Sequence, residues 1–388
     1  MLRRASSWSL ALIRIVVGCL LALPLLILSP LYRIQIQRLP AERIGHLALE
    51  PELFLCTRHT RGRALTFFYA RKPFANPFLL SMWRRVLRTG PSWLLGPAFD
   101  AGERFPWLNL SARGWDRGHF DLRPLDDLAP HVKFTKGEKE EGIQLLANLG
   151  VPIGRPYVCL AVRDDAYLAA TAPTKDWSYH DYRDSQIADY AQMAEWLTSA
   201  GYAVLRMGSH VRRPLESDNP LVIDYASSKW RSDFGDVFLF AHCAFCISTA
   251  TGMDSLAMLF RRPLGIVNLP VVDGMQLGGP LRLVMFKDLT DTDTGIPLSL
   301  LDDRRSHAMK LFRTNDFTEM GLTLIDNEPE ELVDFAREMV AVTNDGLPGD
   351  PICQEREERF LQKLMPGGEL NSASFRISPS WLRRHPMD

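Results

Sequence analysis

One stretch constrains the fold more than any other: Phe245 to Asn268, FCISTATGMDSLAMLFRRPLGIVN. It opens with a short apolar run, Phe245-Cys246-Ile247, which reads as a buried strand. Ser248-Thr249-Ala250-Thr251-Gly252 follows, a cluster of small and hydroxyl-bearing residues. Between Met253 and Arg261 the apolar side chains Met253, Leu256, Ala257, Leu259 and Phe260 recur at helical spacing. Arg261-Arg262-Pro263 ends that helix, and Leu264 to Val267 begins another strand. Such a strand–turn–helix–strand unit sets backbone N–H groups and hydroxyls at the positive end of a helix, where a phosphate binds well. The same residues equally suit an ordinary βα turn capped by Ser or Thr.

A chain of 388 residues is long for one domain, so two α/β domains are expected. A formal net charge of −1 gives no global field that would draw nucleic acid. The six cysteines, at 19, 56, 159, 243, 246 and 353, mostly sit in apolar stretches and read as reduced core thiols. Cys243 and Cys246 have CxxC spacing but no second CxxC or His pair beside them, so metal or redox chemistry there is disfavoured.

Residues 1–32 stand apart as a hydrophobic anchor. Leu10 to Tyr32 is largely apolar and about the length that spans a bilayer, and Ile15 to Leu28 within it carries no charge. A cleaved signal peptide fits less well, because no small-x-small site follows cleanly. An interfacial helix bent at Pro24 is the other reading.

Residues 33–150 read as a first domain. Arg33-Ile-Gln-Ile-Gln alternates like a strand, a helix starts at His46, and Ala64 to Ala70 is a second strand. Phe78 to Leu87 is a helix, while Pro97 to Lys133, rich in Gly, Pro, Asp and Trp, reads as irregular. Glu138 to Leu149 would close the domain, with Gly150 to Pro156 as linker. Residues 151–345 repeat strand and helix more clearly, which argues for a parallel, doubly wound sheet. Its strands are Tyr157 to Val162, Tyr202 to Leu205, Leu221 to Tyr225, the Phe245 and Leu264 runs, and Leu322 to Ile325. Gly201 caps the helix Ile187 to Ala200. Residues 346–388 are read as a C-terminal helix and tail.

Three phosphate-friendly elements follow strands in the second domain: Arg163, Arg206-Met207-Gly208-Ser209, and Ser248 to Gly252. Strand carboxyl ends meet at one crevice in an open α/β sheet. Arginine recognises phosphate through a planar pair of donors, and small-residue turns supply amides. Together these suit a diphosphate. There is no GxGxxG after a strand with a following acidic residue, and no GxxxxGK[ST], so nicotinamide and P-loop sites are disfavoured. No DxD has the loop context of a divalent-metal site; Asp164-Asp165 and Asp302-Asp303 read as solvated pairs.

The chain also resembles a known family. Arg43-Ile-Gly-His46, Tyr182-Arg-Asp184, Gly201 to Gly208 (GYAVLRMG), Ile223-Asp-Tyr225, Arg231-Ser-Asp-Phe234 and Phe245 to Asn268 are similar to elements of a family of bacterial glycosyltransferases. That family is associated with surface-polysaccharide and cell-envelope gene neighbourhoods. The resemblance runs from about Arg33 to Val342, and its RIGH, RMG and RSDF elements are specific as an ordered set. Where this chain has Asp184, the family more usually carries Asn.

The resemblance implies a GT-B-like fold: two facing Rossmann-like domains, the second holding the nucleotide-sugar. It implies transfer of a sugar from a nucleotide-sugar donor to a glycan or lipid-linked acceptor of the cell envelope. The body would then be cytoplasmic, at the inner membrane, because nucleotide-sugars are made there. The donor-binding set is Arg163, Arg183, Arg206, Gly208, Ser248, Thr249, Thr251 and Gly252. Arg206 would stabilise charge on the leaving phosphate, and no metal or other cofactor is expected. On the acceptor side stand Arg43, Gly45 and His46, with His46 as the candidate base and Glu50 and Glu52 behind it. Two other classes remain: a nucleotide-sugar epimerase on the same fold, and a non-catalytic, membrane-bound partner of a polysaccharide assembly complex.

Overall fold

The computed structural model describes residues 33–57, 64–108, 110, 122–166, 176–272, 282–344, 346, 350–364 and 375–388, with 17, 18, 20 and 24 as isolated positions. The hydrophobic anchor therefore lies almost wholly outside the described residues. Among those residues no helix is long and apolar enough to cross a membrane. Gly18, which is helical, is buried so closely on the Pro97 carbonyl that a Cβ would not fit. This contact runs against the expectation that the amino-terminal helix stands clear of the body.

The chain forms two compact units: Met1–Gly118 with Pro130–Phe134, and His119–Ala129 with Thr135–Asp388. The chain passes between the units at Gly118/His119, Ala129/Pro130 and Phe134/Thr135, and the expected linker Gly150 to Pro156 lies inside the second unit.

In the first unit β1 (Arg33–Leu39) and β2 (Ala64–Ala70) pair in parallel, from Arg33↔Ala64 to Leu39↔Ala70. The connection between them carries α1 (Ile44–Cys56), as parallel strands require. Single residues flank the pair: Phe68 bridges Thr89, and the Ile36 amide donates to Leu110 O at 2.6 Å. Next come α2 (Pro77–Val86), N-capped by Asn76, and α3 (Ser92–Arg104). α3 corrects the irregular reading from Pro97 onward, since Gly96, Pro97 and Gly102 are buried positions inside the helix. Glycine and proline there serve close packing instead of a turn.

The second unit begins with α4 (Lys136–Asn148), started by a Thr135/Glu138 capping box. α4 belongs to this unit because Gly142 packs directly on the Phe238 ring, leaving no space for a Cβ. The order then runs β3 (Tyr157–Ala161), α5 (Ala191–Ser199), β4 (Ala203–Arg206), β5 (Val222–Ile223), α6 (Asp233–His242), β6 (Phe245–Ser248), α7 (Asp254–Leu259), β7 (Leu264–Leu269) and β8 (Arg282–Phe286). β9 (Asp288–Asp291), α8 (Asp303–Ala308), α9 (Thr314–Glu319), β10 (Leu322–Ile325), α10 (Pro329–Asn344), α11 (Pro351–Leu364), β11 (Arg376–Ile377) and α12 (Pro379–Arg384) complete it.

Seven strands form one sheet in the order β11-β8-β7-β6-β3-β4-β5, every pair parallel. β3, β4, β6 and β8 are buried at every residue, as expected of a parallel sheet covered on both faces. Gly201, left-handed at φ 99°, ends the α5 segment as expected. β10 lies outside this sheet, antiparallel to β9. The carboxyl-terminal region is no tail: β11 pairs with β8, and Ile377, Trp381 and Leu382 are buried.

Candidate functional site

The sheet positions the site by its strand order. From β3 the chain moves outward to β4 and β5; from β6 it moves the other way, to β7 and β8. This is the doubly wound, Rossmann-like order, and its switch point lies between β3 and β6. Register puts Leu160 beside Arg206 and Ala161 beside Ser248, so the three strands finish almost level. The turn after β6 is fastened to the end of β3 at this point. Thr249 N–H donates to Ala161 O at 3.1 Å, and Arg163 N–H donates to Thr249 Oγ1 at 2.8 Å.

A pocket of about 310 Å³ opens on this edge, lined by the carboxylates Asp164, Asp165, Asp181 and Asp184 and the guanidinium groups of Arg206, Arg212 and Arg213. Arg206 ends β4 and is fully buried. Its Nη1 lies 3.4 Å from Asp224 Oδ1 and its Nη2 3.7 Å from Asp164 Oδ2. Both contacts are long for charged pairs. Arg206 Nε and Nη2 make no hydrogen bond among the described residues. Burial pulls the Arg206 pKa down, and Asp224 and Asp164 oppose that. Beside it, Arg163 Nε donates to Asp184 Oδ1 at 3.1 Å. Burial nevertheless raises the Asp184 carboxyl above its usual range. Lys287, almost fully buried, donates to Asp184 O at 2.8 Å and pairs with Asp326 at 2.7 Å. The outer arginine, Arg212, pairs with Asp165 in an exposed position.

The Ser248–Gly252 turn is largely satisfied within itself. Ser248 Oγ donates to Asp254 Oδ2 at 3.0 Å and accepts the Thr251 amide at 3.3 Å. Thr251 Oγ1 accepts the Met253 amide at 3.2 Å. α7 runs from Asp254 to Leu259, so the helix expected from Met253 to Arg261 is present but shorter at both ends. Arg261 has left its path, with φ 60°, and its Nε donates to Leu125 O and Leu128 O. Asp254 is buried, and desolvation lifts its carboxyl to about 7.

The structure therefore brings Arg163, Arg183 and the turn together and places Arg206 in the pocket. Arg183 Nη2 donates to Ala250 O at 2.9 Å, holding a residue that is itself left-handed at φ 56°. Arg183 thus clamps the turn; Ser248, Thr249, Thr251 and Gly252 do not line the pocket. Gly208 is required by packing, since a Cβ would meet Val211 Cγ1 at 2.6 Å. In the first unit Arg43 is exposed at the N-cap of α1, Gly45 is half-buried, and His46 Nδ1 is 2.6 Å from Glu50 Oε1. Glu52 is buried against His131 and Cys56.

Sequence reasoning missed the acidic half of the pocket. Asp164 is not solvated as expected, because it faces the buried Arg206, whereas Asp165 pairs with Arg212 in solvent as the solvated reading has it. Asp164 lies three residues past the end of β3 and Asp224 follows β5 directly, so the strand-end rule that selected Arg206 also selects them. Asp302 caps α8 by accepting the Arg304 amide and also pairs with the Arg304 guanidinium. Cys243 and Cys246 are buried free thiols, and burial pushes the Cys246 thiol well up.

No family model matches the chain, and no curated protein matches it. Among solved structures it is similar to ADP-heptose lps heptosyltransferase II of E. coli, at 15% identity and a TM-score of 0.35, over 60% of this chain and 84% of that one. It is also similar to a glycosyl transferase family 9 protein from Veillonella parvula, at 10% identity and a TM-score of 0.38, over 61% of this chain and 80% of that one. Likeness this distant carries no argument, and the fold rests on the strand order and register described above.

Proposed function

We propose that the chain is a glycosyltransferase that moves a sugar from a nucleotide-sugar donor to a glycan or lipid-linked acceptor of the cell envelope or a surface polysaccharide. The observation that carries this reading is Arg206: a fully buried guanidinium in a pocket at the sheet's switch point, with two N–H-bearing nitrogens unbonded and only long contacts to carboxylates. Phosphate oxygens of a leaving nucleoside diphosphate would satisfy those donors and balance the charge that builds as the glycosidic bond breaks. The surrounding carboxylates, Asp164 and Asp184 above all, suit the other half of such a ligand, because carboxylates accept hydrogen bonds from sugar or ribose hydroxyls.

In this reading charge stabilisation comes from arginine, with no metal at the donor pocket. Arg163 and Arg183 hold the β3 and β6 strand ends in register behind Arg206. His46 is the base for the acceptor hydroxyl. Glu50 orients its ring through Nδ1, which is how a general base is usually held. Residues 1–32 would anchor a cytoplasmic body to the inner membrane.

The test is a thermal-shift panel of nucleoside diphosphates and nucleotide-sugars, ADP-heptose included, followed by product analysis with the best binder. A specific donor should raise the melting temperature by mass action. Interconversion of the free donor would point to an epimerase. Failure of every nucleotide to bind would favour the non-catalytic partner.

A further inference from the structure

We infer that the first unit holds a divalent transition-metal ion, zinc by its donor set, between Glu52, Cys56 and His131. Glu52 and Cys56 stand four residues apart on α1 and so share one face. The segment Pro130–Phe134 returns to this unit and brings His131 onto that face. His131 Nδ1 lies 3.2 Å from Glu52 Oε1, and Cys56 Sγ lies 3.8 Å from the same oxygen. All three donor atoms fall within 4.8 Å of one another. Tetrahedral zinc, with bonds of about 2.3 Å to sulfur and about 2.0–2.2 Å to nitrogen and oxygen, separates its ligand atoms by roughly 3.3–3.6 Å. The cluster has only to draw in slightly to close on the ion.

Charge and access favour the same assignment. Glu52 is fully buried and Cys56 nearly so, and an ionised carboxylate there needs compensation. A dication with one carboxylate, one thiolate and one neutral imidazole is neutral overall. The His131 side chain is 31% exposed, which gives the ion an entry path and a water for its fourth position. His131 N–H also donates to Glu52 Oε2 at 3.3 Å, orienting the carboxylate as an outer-shell partner does. The ion would join residues 79 apart in sequence and so act as a structural clip between α1 and the returning segment.

The test uses the full-length protein, stripped with chelator and titrated with cobalt(II) and then zinc. Cobalt should bind one per chain and give a thiolate-to-metal charge-transfer band that zinc abolishes. Zinc should also raise the melting temperature. Cys56→Ser should remove the band and weaken zinc by about 100-fold or more. His131→Asn, at a partly exposed position, should lose comparable affinity with an unchanged far-ultraviolet circular dichroism spectrum. The inference fails if the wild-type chain gives no such band, or if binding survives Cys56→Ser and His131→Asn unchanged.

Discussion

Arg206 and Arg305 are both fully buried in the second unit, yet they use their donors in opposite ways. Arg305 Nε donates to Ser299 O at 3.0 Å and Nη2 to Leu298 O at 2.7 Å, and its guanidinium lies 5.7 Å from the Trp381 ring centroid. Only its Nη1 is unbonded. Burial pulls the Arg305 pKa down to about 10. Arg206 Nε and Nη2 find no hydrogen-bond partner among the described residues; the guanidinium has two distant carboxylates and a pocket. Burial alone therefore does not mark a functional cation. The informative quantity is hydrogen-bonding capacity left unused beside an opening.

That contrast makes predictions that can break it. Arg206→Ala should slow transfer by about 10²–10³-fold, roughly 3–4 kcal/mol if the group meets the leaving phosphate in the transition state. Arg206→Lys should recover only part of this, because an ammonium makes no bidentate contact. Unchanged transfer by a less stable Arg206→Ala enzyme would make the two arginines alike.

Arg305→Ala should show the converse pattern. It strips partners from two buried carbonyls and uncovers Trp381, so urea denaturation should show a loss of about 2–3 kcal/mol. Nucleotide affinity by calorimetry should hold.

Asp254→Asn tests whether the turn behind the pocket depends on a protonated acid. The folded-state pKa, about 7, lies above the ordinary 3.8, so the folded chain keeps a proton that the unfolded chain releases. This group's stabilising contribution is complete below pH 4 and is lost as pH rises to about 7. The wild-type stability curve should therefore fall across that window relative to Asp254→Asn, and run parallel to it above. Parallel curves throughout would mean that Asp254 is ionised. The smallest effect should come from Arg212→Ala. Its pair with Asp165 is solvent-exposed, so donor affinity should change by less than about 1 kcal/mol. A loss as large as that of Arg206→Ala would move the phosphate contact to the pocket rim.

Much of the second unit was legible because its central strands are continuous apolar runs of a kind that only a sheet covered on both faces requires. Their alternation with helices fixed the order in which strand ends appear, and so selected Arg163 and Arg206. Less was legible where packing overrode local signals. Pro97 and two glycines concealed α3, and α4 belongs to the second unit through packing such as Gly142 on Phe238 and Leu145 on Gly235, which sequence does not show. Ion pairing was not legible either. Asp184 is 21 residues from Arg163, and Asp224 is 18 from Arg206, distances over which sequence holds no pairing rule. The same applies to His131, 79 residues from Glu52.

The pairing of β11 with β8 has a consequence for synthesis. Ile377 sits opposite Val284, 93 residues earlier, and the Leu300 and Leu301 amides donate to the still later Pro386 and Met387 carbonyls. While a ribosome makes the intervening chain, at about 5–20 residues per second, β8 waits roughly 5–20 s without its outer neighbour. Its sequence, Arg-Leu-Val-Met-Phe, is buried throughout in the finished sheet, and an open strand of that composition is a template for pairing with another chain. Nascent chains that stall in this interval, or lose their last 14 residues, would expose this edge to aggregation and to chaperone capture.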